Sequence, residues 1–400
     1  MTFTRRNLFA LAATASFAAT LAGLGLPVHA AMAADDTVKI GMIQPMTGPF
    51  ASTGVEAVAG AKQYIADHGD TVAGKKIELV VKDDTGSPNE TKRIAQELVV
   101  NEGADVLMGF GLTPLAFATA PIASQAKVPM VVTAAATSSI TEKSPYIVRT
   151  SFTLPQASSA MGEWAAANGI KSVVTLVSDY APGKDAQDWF VKTFEDKGGK
   201  VVEQLTVPLK NPDFSPFLQR VADNKPDAVF VFVPAGVGAQ FMKQFRERGL
   251  GDAGIKLIGT GDVVDDQIVN DMGDVALGVV SAHHYTAALP SDMNQKFVKD
   301  FKAANGGMRP NFMAVGAYDG MALVYHALEK TGGDASGEAL IEAMKGLSWE
   351  SPRGPVSIDP DTRDMVQNIY IDRTEKKDGE LYNVPIDTVE NVKDPAKAAK

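Results

Sequence analysis

The chain has 400 residues, a formal net charge of −10, 45% hydrophobic and 22% charged residues, and no cysteine. That length exceeds one compact core and implies two domains, while the balance of apolar and charged residues is that of an ordinary globular protein. The negative charge argues against nucleic acid or an anionic membrane surface as partner, and the missing cysteine excludes a thiol nucleophile and a lipidated N-terminal cysteine.

At the N-terminus, Thr4-Arg5-Arg6-Asn7-Leu8-Phe9 precedes an apolar run over 10–26 and two small-residue patterns, Val28-His29-Ala30 and Ala31-Met32-Ala33. Basic start, apolar middle and A-x-A end predict a signal peptide over residues 1–33, with the mature chain beginning between Ala31 and Asp35. The arginine pair leaves the twin-arginine and the general export routes both open. No other segment is long enough to span a bilayer. An exported, unanchored chain is expected in a periplasm, monomeric and not embedded in the membrane.

Beyond the leader, apolar strands and amphipathic helices alternate. The pattern predicts strands at 38–43, 76–82, 104–109, 129–133 and 146–150, with helices at 55–67, 90–101 and from Thr113-Pro114 onward. Thr113 is placed to N-cap that last helix, with Pro114 in its first turn. The rhythm restarts with strands at 171–177, 200–207, 227–233, 255–259 and 279–285, separated by helices at 186–197, 214–222 and 238–248. Helices at 294–304, 312–328 and 338–344 follow, then late strands at 356–358 and 366–373. From Glu375 the mixed lysines and acids read as a weakly structured tail. Such alternation means βαβ units, parallel sheets and an α/β fold.

The most informative stretch is 103–139. One strand ends at Gly109-Phe110-Gly111, and a second ends in Ala134-Ala135-Ala136 with the hydroxyls Thr137, Ser138 and Ser139. Both turns fall at the carboxyl ends of strands, where open α/β sheets bind ligands. Small residues admit a ligand to the backbone, and free N–H groups with hydroxyls suit a carboxylate. Two ordinary βα loops are the plain alternative. Gly109-Phe110-Gly111 lacks the third glycine of a dinucleotide turn, because position 114 is proline. His283-His284, on an expected strand, should point to opposite faces and so not share a metal ion. No cofactor or metal is expected. Asp262 is read either as a partner for a ligand ammonium or as a helix N-cap, and Tyr180 as a loop aromatic able to stack on a ligand. Tyr318 reads as facing a cleft or as a core-edge tyrosine.

Residues 37 to about 373 resemble the branched-chain amino-acid-binding family of periplasmic receptors, the type I solute receptors of ABC transporters. The resemblance is carried by the order and spacing of IGMIQPMTGPFASTG, DDTGSPNET, DVLMGFGLTP, PMVVTAAATSS with YIVRTS, PDAVFVFVPAG, LIGTGD and RGPVSID. It implies two Rossmann-like lobes with parallel-rich sheets, joined by a three-strand hinge, that close on a small solute and deliver it to permease subunits. The lobes would be 36–153 with 284–350, and 154–283 with 351–385, leaving 386–400 as the tail. By the same resemblance Thr113 and Thr137 hold the ligand carboxylate, and Ala135 offers a carbonyl to its amine. Phe50, in the segment 50–54, lines the cleft; Tyr180 lies near the position of a cleft aromatic. Asp262 stands one residue after the acidic position, which falls on Gly261. Gly86 and Leu112 occupy the places of a disulfide found in some members, and Pro234-Ala235-Gly236 replaces a polar or aromatic residue.

An apolar, branched-chain amino acid is therefore the expected cargo. A non-amino carboxylate such as an aromatic acid is the alternative. A periplasmic hydrolase or sensor domain is the remaining class, although neither G-x-S-x-G nor H-E-x-x-H occurs.

Overall fold

The computed structural model describes residues 36–397, so the expected signal peptide lies outside the described residues. A first sheet is built from β1 (Thr37–Gln44), β2 (Thr71–Val72), β3 (Lys75–Asp83), β4 (Val106–Gly109), β5 (Met130–Val132) and β6 (Ile147–Arg149), in the order β2-β3-β1-β4-β5-β6. All its pairings are parallel except the β2–β3 hairpin. Its crossovers are α1 (Ala51–His68), α2 (Pro88–Val100) and α3 (Thr113–Ala126). Strands buried on both faces read as continuous apolar runs, and β4 and β5 are buried at every position.

The chain then leaves for a second sheet. Helix α4 (Leu154–Ala167) starts on a capping box in which Thr153 and Gln156 satisfy one another's backbone N–H. Next come β7 (Ser172–Ser178), α5 (Ala181–Asp196), β8 (Lys200–Val207), α6 (Ser215–Asn224), β9 (Ala228–Phe232), α7 (Gly238–Glu247), β10 (Lys256–Thr260), the short α8 (Val269–Met272) and β11 (Val280–His283). After β11 the chain returns to the first half with α9 (Asp292–Ala304), α10 (Phe312–Thr331) and α11 (Gly337–Met344). Helix α10 is buried along almost its whole length and packs on α1. The two approach so closely at Gly60 that a Cβ there would lie 2.0 Å from the Ala314 carbonyl oxygen. The final strands β12 (Ser348–Ser351), β13 (Gly354–Ile358), β14 (Met365–Lys377) and β15 (Glu380–Val392) complete the second sheet, in the order β12-β13-β14-β11-β10-β9-β7-β8 with β15 on β14. Three passages, after β6, after β11 and after α11, thus connect the two halves.

The end of the chain departs from the sequence reading. The region from Glu375 is a long antiparallel hairpin, not a weakly structured tail. Asp378 and Gly379 both have positive φ, 51° and 88°, as an Asp-Gly turn of the tight hairpin type requires. The turn signal was present, but alternating lysines and acids on an exposed ribbon mimic the composition of a disordered tail. No helix among the described residues is long and apolar enough to cross a membrane.

Candidate functional site

The loops after β4 and β5 face the loops after β7, β9 and β10 across a cavity. It has about 360 Å³ of atom-free space, counting its mouth. One wall is Thr53, Gly111, Leu112, Thr113 and Ala134-Ala135-Ala136. The other is Tyr180, Pro182, Phe232, Pro234, Ala235 and Asp262, with Phe152, Leu154 and Met313 at the junction.

Thr113 is the first residue of α3, and Leu112 takes the cap position, with no side-chain cap bond. The expected capping role is therefore not played by Thr113. Its hydroxyl is buried and has no partner within the protein. Thr137 Oγ1 is likewise buried and unpartnered, although Thr137 itself does not line the cavity. A buried hydroxyl left without a hydrogen bond costs roughly 1–3 kcal/mol, and the one on Thr113 stands in the cavity lining.

Ala135 lines the cavity, but its polar groups are committed elsewhere. Its N–H donates to the Phe110 carbonyl at 3.0 Å. Its carbonyl accepts from Arg149 Nη1 at 3.3 Å and from Ser151 Oγ at 3.2 Å. Phe110 holds a left-handed φ of 71°, and its carbonyl thereby ties the first ligand loop to the second. Arg149 is fully buried behind the second loop and also donates to the carbonyls of Thr137 (2.7 Å), Ser138 (3.2 Å) and Phe152 (3.2 Å). Its Nε faces Asp364 at 2.9 Å.

On the opposite wall Tyr180 precedes α5 in extended backbone, and its ring stacks over Phe232 with centroids 6.0 Å apart and planes at 14°. Burial, followed by the charge of Asp262, pushes the Tyr180 phenol well above its usual range, so it stays a neutral hydroxyl. Asp262 caps no α-helix. It lies in a 3-10 turn, accepts from Thr260 Oγ1 at 2.9 Å and stands 3.5 Å from His283 Nε2. Gly261 lets this happen, because a Cβ at that position would sit 2.6 Å from the His283 ring. Behind the turn, burial raises Asp265 to about 7 and Asp266 to about 6, and holds Glu56 well above the carboxylate range. Asn311 joins these halves by donating its side-chain amide to Asp265 (2.8 Å) and its backbone N–H to Glu56 (3.4 Å).

Two of the expected residues are elsewhere. Phe50 is buried in the core beneath α2 and α3, and Thr53, one turn later, takes the wall position. Tyr318 packs edge-on against Tyr64 and donates to Asp67 at 3.3 Å in a separate groove. The histidines do not diverge as alternation predicted. The strand ends at His283, and both rings pack on Phe152, 4.6 Å from one another. Burial lowers the pKa of His284 well below its ordinary value. Among the described residues no group of three or more His, Asp or Glu is placed to hold a metal. Sequence reasoning passed over Phe152, Phe232 and Arg149, although YIVRTSF and PDAVFVFVPAG were in view; nothing local marks which ring of an apolar run will face a cleft.

The family model described as "Periplasmic binding protein" matches residues 37–380. A Brucella melitensis protein named "Leu/Ile/Val-binding protein homolog 6" is 45% identical over 95% of this chain and 98% of its own length. The crystal structure of a solute binding protein of an ABC transporter from Rhodopseudomonas palustris BisB5, in complex with 3,4-dihydroxybenzoic acid, is 63% identical with a TM-score of 0.89. It covers 90% of this chain and 99% of that one. A solute binding protein from Rhodopseudomonas palustris HaA2, in complex with p-hydroxybenzoic acid, is 42% identical with a TM-score of 0.88 over 91% of this chain and 100% of that one.

Proposed function

The chain belongs to the periplasmic binding protein family of ABC-transporter solute receptors, and from that premise we propose that its solute is a hydroxylated aromatic carboxylate. The observation that carries this reading is the make-up of the cavity: ring and proline faces (Phe152, Tyr180, Phe232, Pro234) dominate a lining whose polar side chains are Thr53, Thr113, Asp262 and the Tyr180 hydroxyl. A flat ring fills such a slot edge-on, and stacking on aromatic faces adds to its burial. The solute carboxylate belongs with the Thr113 hydroxyl and the N-terminus of α3, and with the Thr137 hydroxyl, one residue beyond the lining Ala136, once the halves close. At the other end Asp262 excludes a second carboxylate and asks for a donor, which a ring hydroxyl supplies. The 63% identical neighbour bound to 3,4-dihydroxybenzoic acid supports the same class.

A branched-chain amino acid is the second reading, favoured by the presence of Asp262 in the wall and by the name of the Brucella relative. Its ammonium would find Asp262, but the Ala135 carbonyl already has two donors. Capture proceeds by closure of the two halves, taken as lobes 36–153 with 284–350 and 154–283 with 351–392, followed by hand-over to permease subunits. The protein binds its solute in the periplasm without turnover.

Calorimetric titration with 3,4-dihydroxybenzoate, 4-hydroxybenzoate, benzoate and leucine tests the reading. The hydroxybenzoates should bind stoichiometrically and benzoate more weakly. Heat from leucine with none from the aromatic acids would replace the first reading by the second.

A further inference from the structure

We propose that residues 393–397 are a strap that positions the loop after β5, so that the segment beyond β15 is a working part of the solute site. These residues lie beyond the 37–380 matched by the family model, and the fold's sheets are complete before them. Gln156 Nε2 holds the Val392 carbonyl at 2.7 Å where β15 ends. Asp394, buried, then accepts from Ser138 Oγ at 2.5 Å. Lys397 donates to Thr141 Oγ1 at 2.5 Å and pairs with Asp364, its side chain 5% exposed. Asp364 also forms an ion pair with Arg149, whose Nε lies 2.9 Å away, and Arg149 donates to the carbonyls of Ala135, Thr137 and Ser138. The loop that bears Thr137 is thus gripped from behind by Arg149 and from its far end by the strap.

The same loop also contacts the second half of the chain. The Ser138 N–H donates to Asp185 Oδ2 at 2.9 Å, and Asp185 belongs to α5, whose first turn supplies Pro182 to the opposite wall. Ser138 therefore joins the strap through its hydroxyl and the second half through its backbone. Burying Lys397, Asp394, Asp364 and Arg149 together is poor value as stabilisation, because desolvation offsets most of the attraction between such charges. What a buried, hydrogen-bonded ion network does supply is one arrangement in place of several. Here that arrangement is the one that aims the orphan Thr137 hydroxyl. Lys397 and Asp394 are positioning residues; neither lines the cavity.

The test compares the full chain with one ending at Val392 and with Lys397→Met, Asp394→Asn and Lys397→Arg. Amide exchange is followed without solute, and affinity is measured for 3,4-dihydroxybenzoate. The shortened chain and Lys397→Met should exchange about tenfold faster over 134–143, with α6 and α7 unchanged, and bind about tenfold more weakly. Lys397→Arg should stay within about threefold of wild type. Should the shortened chain not fold, the single substitutions carry the decision. Unchanged exchange over 134–143, or acceleration spread over the whole chain, would overturn the proposal. Only the affinity arm rests on the aromatic-acid reading: if the wild type does not bind 3,4-dihydroxybenzoate, that reading fails while exchange still judges the strap.

Discussion

On the side of the six-stranded sheet the cavity wall is backbone and small side chains, Gly111 and Ala134-Ala135-Ala136, with the Thr113 hydroxyl among them and Arg149 bracing the loop from behind. On the side of the larger sheet the wall is rings, Tyr180, Phe232 and Pro234, with one carboxylate, Asp262. On the proposed reading the first wall receives one functional group of the solute, and the hydrogen bonds that fix that wall are made behind it. The second is a shape, and what it admits depends on ring faces and on a donor for Asp262.

The largest test of that contrast removes the brace. Arg149→Met strips the Thr137 and Ser138 carbonyls of a donor and leaves Asp364 with Lys397 as its remaining ion-pair partner among the described residues. Breaking one partner out of a buried ion network costs about 3–5 kcal/mol. We expect a correspondingly lower unfolding midpoint in denaturant, with solute binding lost even at temperatures where the chain stays folded. A loss of stability without loss of affinity would mean that the first wall does not depend on its brace.

The next comparison sets the two ends of the slot against each other. Thr113→Val deletes a hydroxyl that has no partner in the protein, so the ligand-free chain should be as stable as wild type or slightly more so. Affinity for every acid, hydroxylated or not, should fall about tenfold to a hundredfold, since a hydrogen bond to a charged group contributes roughly 1.5–3 kcal/mol. Asp262→Asn should instead weaken hydroxybenzoates and spare benzoate, because only the ring hydroxyl addresses it. Equal losses for benzoate and 4-hydroxybenzoate in Asp262→Asn would show that the second wall does not read hydroxyls.

The smallest effect concerns the acids behind the junction. A carboxyl whose pKa is raised by folding binds its proton more tightly in the folded than in the unfolded chain. Stability therefore falls as pH rises from the ordinary carboxylate range, near about 4, through the folded value. Asp266 at about 6, Asp265 at about 7 and Glu56, which burial and then Asp265 hold well above the carboxylate range, set that window. Glu56→Gln carries a neutral amide in place of the proton. Its melting temperature should decline less than that of wild type between about pH 5 and about pH 8. Parallel curves for the two proteins would mean that Glu56 does not exchange its proton in this range.

Much of this was legible before the fold. Period-two and period-3.6 patterning placed the βα units, and the small residues after two strands marked Thr113 and Ala135 as loop positions at one sheet edge. Tyr180 and Asp262, each following a strand of the second half, were named from the family resemblance, and the structure places both in the cavity lining at the carboxyl edge of their sheet. These signals are local: a strand, a turn and a helix start are written within about a dozen residues.

What only the tertiary structure decided depends on partners far away in the chain. Whether Tyr318 faced the cleft was settled by Tyr64 and Asp67, some 250 positions distant, which hold it in another groove. Whether Asp262 capped a helix or faced the cavity was settled by Thr260 and by the close approach of His283 at Gly261. The divergence expected of His283 and His284 fails because the strand stops between them and Phe152 collects both rings. The tail became a strand and a strap because β14 and the first-half loop at Ser138 and Thr141 offered its backbone and charges partners that no window of sequence contains. Composition and periodicity determined which segments form elements and where the loops open. Burial and long-range hydrogen bonding determined which polar groups were spent inside the fold and which were left for a solute.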